Sequence, residues 1–129
     1  MGSLSLADIE TLAGAALQSL PPPFSEAARS VGVQVVDWPD ADMLNELRIK
    51  ARLDLTGLYD GIPLTEKSAF DQPTRPDVIW LFREPILAEL ADRTSETAEH
   101  LIRHILVHEL AHHFGWSDED IASVDRWWE

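Results

Sequence analysis

The 129-residue sequence contains no cysteine, few basic residues and no long hydrophobic run. Without cysteine there are no disulfides, no thiolate metal sites and no cysteine nucleophile, so any metal must be bound by His, Asp or Glu. Only 10 residues are Lys or Arg against 23 Asp or Glu, which gives a formal net charge of -13. Because phosphate groups are bound by Lys and Arg, this surface is expected to repel nucleic acid and anionic membranes.

No apolar stretch approaches the roughly 20 residues that a membrane-spanning helix needs. The segment Met1–Leu6 has neither basic residues nor a long apolar run, so no Sec signal peptide is expected and a cytoplasmic location is predicted. The length suits a single domain over residues 1–129, and 45% hydrophobic with 26% charged residues is ordinary globular composition.

Hydrophobic periodicity predicts a mixture of helices and strands. Helices are predicted over Leu6–Leu20, Phe24–Arg29, Asp42–Leu53, Ser95–Phe114 and Glu119–Trp128, and strands over Val31–Val36 and Asp77–Arg83, with a shorter strand or turn within Leu55–Pro63. Pro85 is expected to end the second long strand, and Gly115 to cap the long helix. Because the elements do not alternate as βαβ units, the predicted fold class is α+β.

All five histidines lie between His100 and His113. The most specific pattern among them is His108-Glu109-Leu110-Ala111-His112, an H-E-x-x-H string on the predicted long helix. Residues i and i+4 lie on one face of a helix, so both imidazoles can bind one cation. Glu109 then lies beside the metal, where it can deprotonate a bound water. The string therefore predicts a catalytic metal centre.

A catalytic zinc site needs three protein ligands and one open position. Gly115 allows the chain to turn after the helix, and Asp118 supplies a carboxylate six residues after His112. This is the metzincin spacing with Asp in place of the third His. One zinc ion bound by His108, His112 and Asp118 is therefore predicted, with Glu119 as the alternative third ligand.

The remaining histidines are not predicted to be metal ligands. His104 and His100 continue the i, i+4 series backward, but each step rotates by about 40° around the helix, which takes both imidazoles out of the coordination sphere. His104 either lines the substrate cleft or is a solvated side chain. His113 is expected near the helix C-terminus as a capping or supporting residue.

The segment Thr97–Asp120, together with Leu55–Gly61 and the strand Val78–Phe82, resembles the small bacterial zincin-like metallopeptidases, sometimes called minimal zincins. The most specific part of the resemblance is the string His108–Asp118. The resemblance implies a compact α+β domain, in which a small sheet packs against the H-E-x-x-H helix and flanking helices. It also implies the same three zinc ligands and a general base at Glu109.

In zincins a bound peptide lies antiparallel to the edge strand of the sheet, and Val78–Phe82 is predicted to be that edge strand. Tyr59 is either a donor to the developing oxyanion or a packing residue. The predicted function is hydrolysis of a peptide or protein substrate by a zinc-activated water, with no nucleic-acid or membrane partner. The alternatives are a zinc-dependent endoribonuclease-like hydrolase and a non-catalytic binding module that zinc stabilises.

The Met-containing turn of the larger metzincins is missing, since both methionines, Met1 and Met43, precede the metal motif. An unrestrained cytoplasmic protease would be hazardous, so we expect that the substrate is narrow, that the open site needs a partner, or that the activity is weak. Trp127 and Trp128 lie on the last predicted helix, where a weak homodimer interface is the alternative to a monomer.

Overall fold

The structure, a computed structural model, describes residues 4–20, 24–60, 77–92 and 97–113. Within these ranges lie five α-helices and a three-stranded sheet. Helices and strands are mixed along the chain without regular alternation, so the expected α+β class is confirmed.

The helices are α1 (Leu6–Ser19), α2 (Phe24–Ala27), α3 (Ala41–Leu47), α4 (Arg83–Asp92) and α5 (Ala98–His113). The strands are β1 (Val31–Val36), β2 (Gly57–Asp60) and β3 (Asp77–Phe82). Short 3-10 turns, Ala28–Ser30 and Arg52–Asp54, lie before β1 and β2. The predictions of the first helix, of a helical turn after Phe24 and of both longer strands are confirmed.

β3 is the central strand of this sheet, with β1 on one side and β2 on the other. β1 pairs with β3 in parallel, and β2 pairs with β3 antiparallel, with Gly57 opposite Leu81. The prediction that Val78–Phe82 is an edge strand is therefore wrong. Ile79 and Leu81 are fully buried. A strand this apolar is stable at the centre, where neighbours on both sides satisfy its backbone groups.

The first helix begins with a capping box. The Ser5 side chain accepts the Asp8 amide at 3.0 Å, and the Asp8 carboxylate accepts the Ser5 amide at 2.9 Å. These bonds satisfy amides that have no partner within the helix. Ile9 and Ala13, one turn apart, are buried in the core. The helix ends at Ser19, shortly before the prolines at positions 21–23, as predicted.

α3 is shorter than the predicted helix Asp42–Leu53. Asp40 caps its start by accepting the Met43 amide at 2.8 Å. The helix stops at Leu47 because Arg48 adopts the left-handed conformation, with φ 57° and ψ 36°. None of its residues is buried, so no packing interaction extends the helix against this stop.

α4 begins at Arg83, directly after β3, where the sequence predicts only the end of a strand. Pro85 lies in the first turn of this helix, and proline is tolerated there because the amide it lacks would have no helical partner. Pro85 and Ile86 are buried. The Arg83 guanidinium donates to the Leu4 carbonyl and to the Asp37 carboxylate. These bonds join the N-terminal segment and the end of β1 to α4.

α5 contacts α1, β2 and β3. Its innermost residues recur every four positions and are fully buried: Ile102, Leu106 and Leu110. It begins at Ala98, later than the predicted helix Ser95–Phe114, because the Thr97 side chain accepts the His100 amide at 3.1 Å and caps its start. It continues to His113, as predicted, and Gly115 and the predicted helix Glu119–Trp128 lie outside the described residues. In the part of the chain that the structure describes, no helix is long and apolar enough to span a membrane.

Candidate active site

The three polar residues of the H-E-x-x-H string lie in the second half of α5. His108, Glu109 and His112 are each half-buried. His108 and His112 are one turn apart, and their ring centroids are 5.0 Å apart with the ring planes at 73°. The helix therefore places two imidazoles side by side and a carboxylate next to the first of them.

The separation of the two rings fits a shared metal ion. A metal about 2.1 Å from a ring nitrogen lies about 3.2 Å from the ring centre, so two imidazoles at a tetrahedral angle have centroids about 5 Å apart. The observed separation is 5.0 Å. Two imidazoles with one carboxylate form a donor set that zinc accepts in catalytic sites.

The predicted third ligand, Asp118, and its alternative, Glu119, lie outside the described residues, as do Gly115 and the side chain of His113. Within residues 4–20, 24–60, 77–92 and 97–113, no three His, Asp or Glu side chains are grouped so that they could hold a metal. The described residues thus bring together two of the three predicted ligands, and the full ligand set stays a prediction.

The Glu109 carboxylate is held by the backbone of β2. Its Oε1 accepts the Tyr59 amide at 3.0 Å, although the two residues are 50 positions apart in the chain. The Thr56 carbonyl accepts the Phe82 amide at 3.0 Å and so faces β3. Since backbone groups alternate in direction along an antiparallel strand, those of Tyr59 point away from β3. This outward amide orients Glu109 beside His108.

The Tyr59 hydroxyl donates to the Asp77 carboxylate at 2.8 Å. Asp77 is the first residue of β3 and is only 8% exposed, so this bond ties β2 to the start of the central strand. Burial, followed by the bond to Asp77, raises the pKa of Tyr59 well above its usual value. Of the two roles predicted for Tyr59, the structure supports packing, because the ring packs against the core and the hydroxyl is bonded to Asp77.

Gly57 allows α5 to approach β2 closely. A Cβ atom at this position would lie 2.5 Å from Ile105 Cγ2 and 3.6 Å from Glu109 Cγ. The first distance is far below van der Waals contact, so a side chain on Gly57 would push α5 away from the strand. The absence of a side chain here therefore brings Glu109 within reach of the Tyr59 amide.

An open cavity of about 330 Å³ lies along α5 next to His108 and Glu109. His104 lines this cavity, in agreement with the first of the two roles predicted for it. Asp54, Thr56 and Glu89 of α4 add polar groups to the lining. His100 lines a separate cavity between α1 and α5, which agrees with its exclusion from the metal site.

Sequence reasoning missed the Tyr59 amide as the partner of Glu109, and it missed Asp54 and Glu89 as residues of the cavity. One signal was available for the close approach, since an isolated glycine in a strand marks a place where another element comes near, and Gly57 is such a glycine. No local pattern marks the two carboxylates, because they reach the cavity from elements far apart in the chain.

Comparison with known proteins assigns most of the chain to a family. Residues 28–128 match the family model described as zincin-like metallopeptidase. A search of curated proteins found no match. The matched range contains all three strands of the described sheet and the whole of α5. The chain therefore belongs to the zincin-like metallopeptidase family.

Proposed function

We propose that this protein hydrolyses peptide bonds, with one zinc ion bound by His108, His112 and Asp118 and with Glu109 as the general base. The observation that carries the proposal is the arrangement on α5. Two imidazoles have a centroid separation of 5.0 Å, and the adjacent carboxylate is oriented by the Tyr59 amide. Membership of the zincin-like metallopeptidase family supports the same chemistry.

Zinc, when bound, supplies Lewis acidity that lowers the pKa of a water molecule and polarises the scissile carbonyl. Glu109 accepts a proton from the attacking water and gives it to the nitrogen of the leaving amine. The Tyr59 amide holds Oε1 of Glu109 at 3.0 Å, so the carboxylate needs little reorganisation during proton transfer. Glu119 is the alternative to Asp118 as the third ligand.

We expect the peptide substrate to lie along β2 rather than β3. β2 is the outer strand on the α5 side of the described sheet. The backbone groups of Gly57 point away from β3, by the same alternation as those of Tyr59, and are directed to where an extended peptide would pair. Gly57 also lies close to the Glu109 side chain. A peptide paired there therefore passes beside the general base.

The test compares two identical substitutions on one helix. Glu109→Gln should retain zinc and fold while lowering peptide hydrolysis by at least about 100-fold, because the amide cannot accept the proton. Glu99→Gln, at an exposed position in the first turn of α5, should leave hydrolysis unchanged. Cleavage of a broad peptide library by the zinc-loaded proteins measures the rates, and metal analysis checks the zinc content.

Equal activity of Glu109→Gln and wild type would contradict the assignment of the general base. If zinc-loaded wild type cleaves nothing in the library, the peptidase proposal fails, and a non-catalytic zinc-stabilised module becomes the better explanation.

The alternative of an RNA substrate is less compatible with the net charge of -13 than a peptide substrate is, because the phosphates of RNA are repelled by an acidic protein. The cytoplasmic location, and the expectation of a monomer or a weak homodimer, stay predictions.

A further inference from the structure

We propose that the cavity beside His108 and Glu109 binds a basic side chain of the substrate, so that the protein prefers Lys or Arg next to the cleaved bond. This inference rests on the proposed peptide hydrolysis and adds its specificity. The cavity has a volume of about 330 Å³ and shares His108 and Glu109 with the candidate active site. A peptide bond held at Glu109 therefore has a neighbouring side chain within reach of the cavity.

Two carboxylates from different elements line the cavity in addition to Glu109. Asp54 is exposed at the end of the turn before β2, and Glu89 is half-buried on α4. Among the described residues that line the cavity there is no Lys or Arg, and their basic side chains are the imidazoles of His104 and His108. A cationic group entering the cavity is therefore attracted, and a carboxylate is repelled.

The apolar part of the described lining belongs to the core. Leu55, Leu101 and Ile105 line the cavity and are only 8%, 5% and 6% exposed. Lys and Arg carry a charged group on a long apolar stem, and they pack the stem on apolar surface while the charge stays near water. The combination of apolar side chains and carboxylates in one lining matches this kind of side chain. Leu would make the apolar contacts alone, and Glu would meet like charges.

The net charge of the whole chain also favours cationic peptides, but through long-range attraction and not through a specific contact. A net charge of -13 attracts any cationic peptide at long range and raises the rate of encounter. That attraction does not depend on where the positive residue lies in the peptide. A preference confined to one position relative to the cleaved bond is what the cavity adds.

The test uses the zinc-loaded full chain and matched peptides in which one position at a time, on each side of the cleaved bond, is Lys, Arg, Leu or Glu. At one position, kcat/KM for Lys or Arg should exceed that for Glu by at least about tenfold. The double variant Asp54→Asn with Glu89→Gln should reduce this ratio to within about twofold. Glu89→Lys should reverse the preference toward Glu.

Asp92→Asn is the matched control, because Asp92 is an exposed carboxylate on α4 that does not line the cavity. It changes the net charge by the same amount as Glu89→Gln and should keep the preference. Loss of the preference in Asp92→Asn would mean that overall charge, and not the cavity, selects the substrate, and would overturn the inference.

Binding of the same peptides to zinc-loaded Glu109→Gln, measured by calorimetry, separates the two levels of the proposal. Equal rates for all residues at every position would overturn the basic pocket and leave peptide hydrolysis standing. Absence of cleavage by wild type, together with tighter binding of the Lys and Arg peptides, would overturn hydrolysis and retain the pocket. Absence of both cleavage and preferential binding would overturn both.

Discussion

The two outer strands of the described sheet are covered in different ways. β1 packs against α1 through apolar side chains, namely Ile9, Ala13, Val31 and Val35. β2 contacts α5, where the Tyr59 amide donates a hydrogen bond to Glu109, and the Tyr59 hydroxyl donates another to Asp77 of β3. Apolar contact is non-directional and tolerates small displacements, whereas a hydrogen bond requires a narrow range of distances and angles. The candidate active site thus lies at β2, where hydrogen bonds restrict the positions of the side chains more tightly than apolar contacts do at β1.

The glycines of the two strands show the same difference. A Cβ at Gly32 of β1 would find its nearest neighbour, the Asp77 carbonyl oxygen, at 3.9 Å, which is ordinary van der Waals contact. A Cβ at Gly57 of β2 would lie 2.5 Å from Ile105 Cγ2. A residue without a side chain is therefore required at the β2 edge and is only permitted at the β1 edge.

Removing an imidazole from the β2 side should have the largest effect. His108→Ala and His112→Ala should each lower zinc affinity by at least about 100-fold, because each removes one of three ligands. His100→Ala, on the same helix but in the cavity near α1, should leave zinc affinity unchanged. Competition with a zinc chelator measures the affinities. Wild-type affinity in both ligand variants would mean that other side chains bind the metal.

Adding one methyl group to each edge compares the two strands directly. Gly57→Ala should lower the free energy of unfolding by about 1–3 kcal/mol, because Ile105 and α5 must move. Gly32→Ala should change it by less than about 0.5 kcal/mol. Urea denaturation of both variants gives the values. Similar losses at the two positions would show that close packing of α5 on β2 is not a special constraint.

Tyr59→Phe removes the bond that ties β2 to Asp77 and should lower the free energy of unfolding by about 1 kcal/mol. Hydrolysis should fall much less than in Glu109→Gln, because the backbone amide that orients Glu109 remains. Thermal unfolding and peptide cleavage are measured on the same samples. A loss of activity as large as that of Glu109→Gln would restore a direct catalytic role for the hydroxyl.

The Tyr59 hydroxyl makes the free energy of unfolding depend on pH in the alkaline range. The pKa of Tyr59 is raised in the folded state, so above about pH 10 the unfolded chain loses a proton that the native state keeps. The stabilisation is complete below that pH and is lost as pH rises toward the folded pKa. The free energy of unfolding should therefore fall more steeply above about pH 10 in wild type than in Tyr59→Phe. Parallel curves would contradict this.

The smallest effect is expected on the β1 side, at the start of α1. Ser5→Ala removes the 3.0 Å bond to the Asp8 amide and should cost about 0.5–1 kcal/mol of stability. Peptide hydrolysis should not change, since α1 does not line the cavity next to Glu109. Ser19→Ala, at the other end of the helix, is the control without an N-cap. A reduced cleavage rate in Ser5→Ala would mean that the two edges are coupled.

Much of the local structure could be predicted because its causes are local. The spacing of Ile9 and Ala13 and the prolines after α1 define that helix, and the apolar run in β3 defines a strand. The order of the strands could not be predicted, because it depends on pairing between segments far apart in the chain. The sequence does not predict α4, because Pro85 indicates the end of a strand. Proline is also common in the first turn of a helix, which is where Pro85 lies.

The candidate site divides in the same way. His108, Glu109 and His112 could be identified because the period of one helix places them together. The Tyr59 amide, the need for Gly57 and the carboxylates of the cavity could not, because each arises where separate elements meet. What the sequence indicates is the chemistry of the groups, and what the fold adds is their orientation and the space beside them.

The central position of β3 also determines when the sheet can assemble. In the described sheet β1 and β2 do not pair with each other, and each pairs with β3. A nascent chain that has not yet extended to Asp77–Phe82 therefore holds two outer strands without the strand that joins them. Both pairings bridge long stretches of chain, and such non-local contacts form slowly. The sheet is thus expected to form late in folding, and until then the apolar residues of β1 have the helices α1 and α2 for cover.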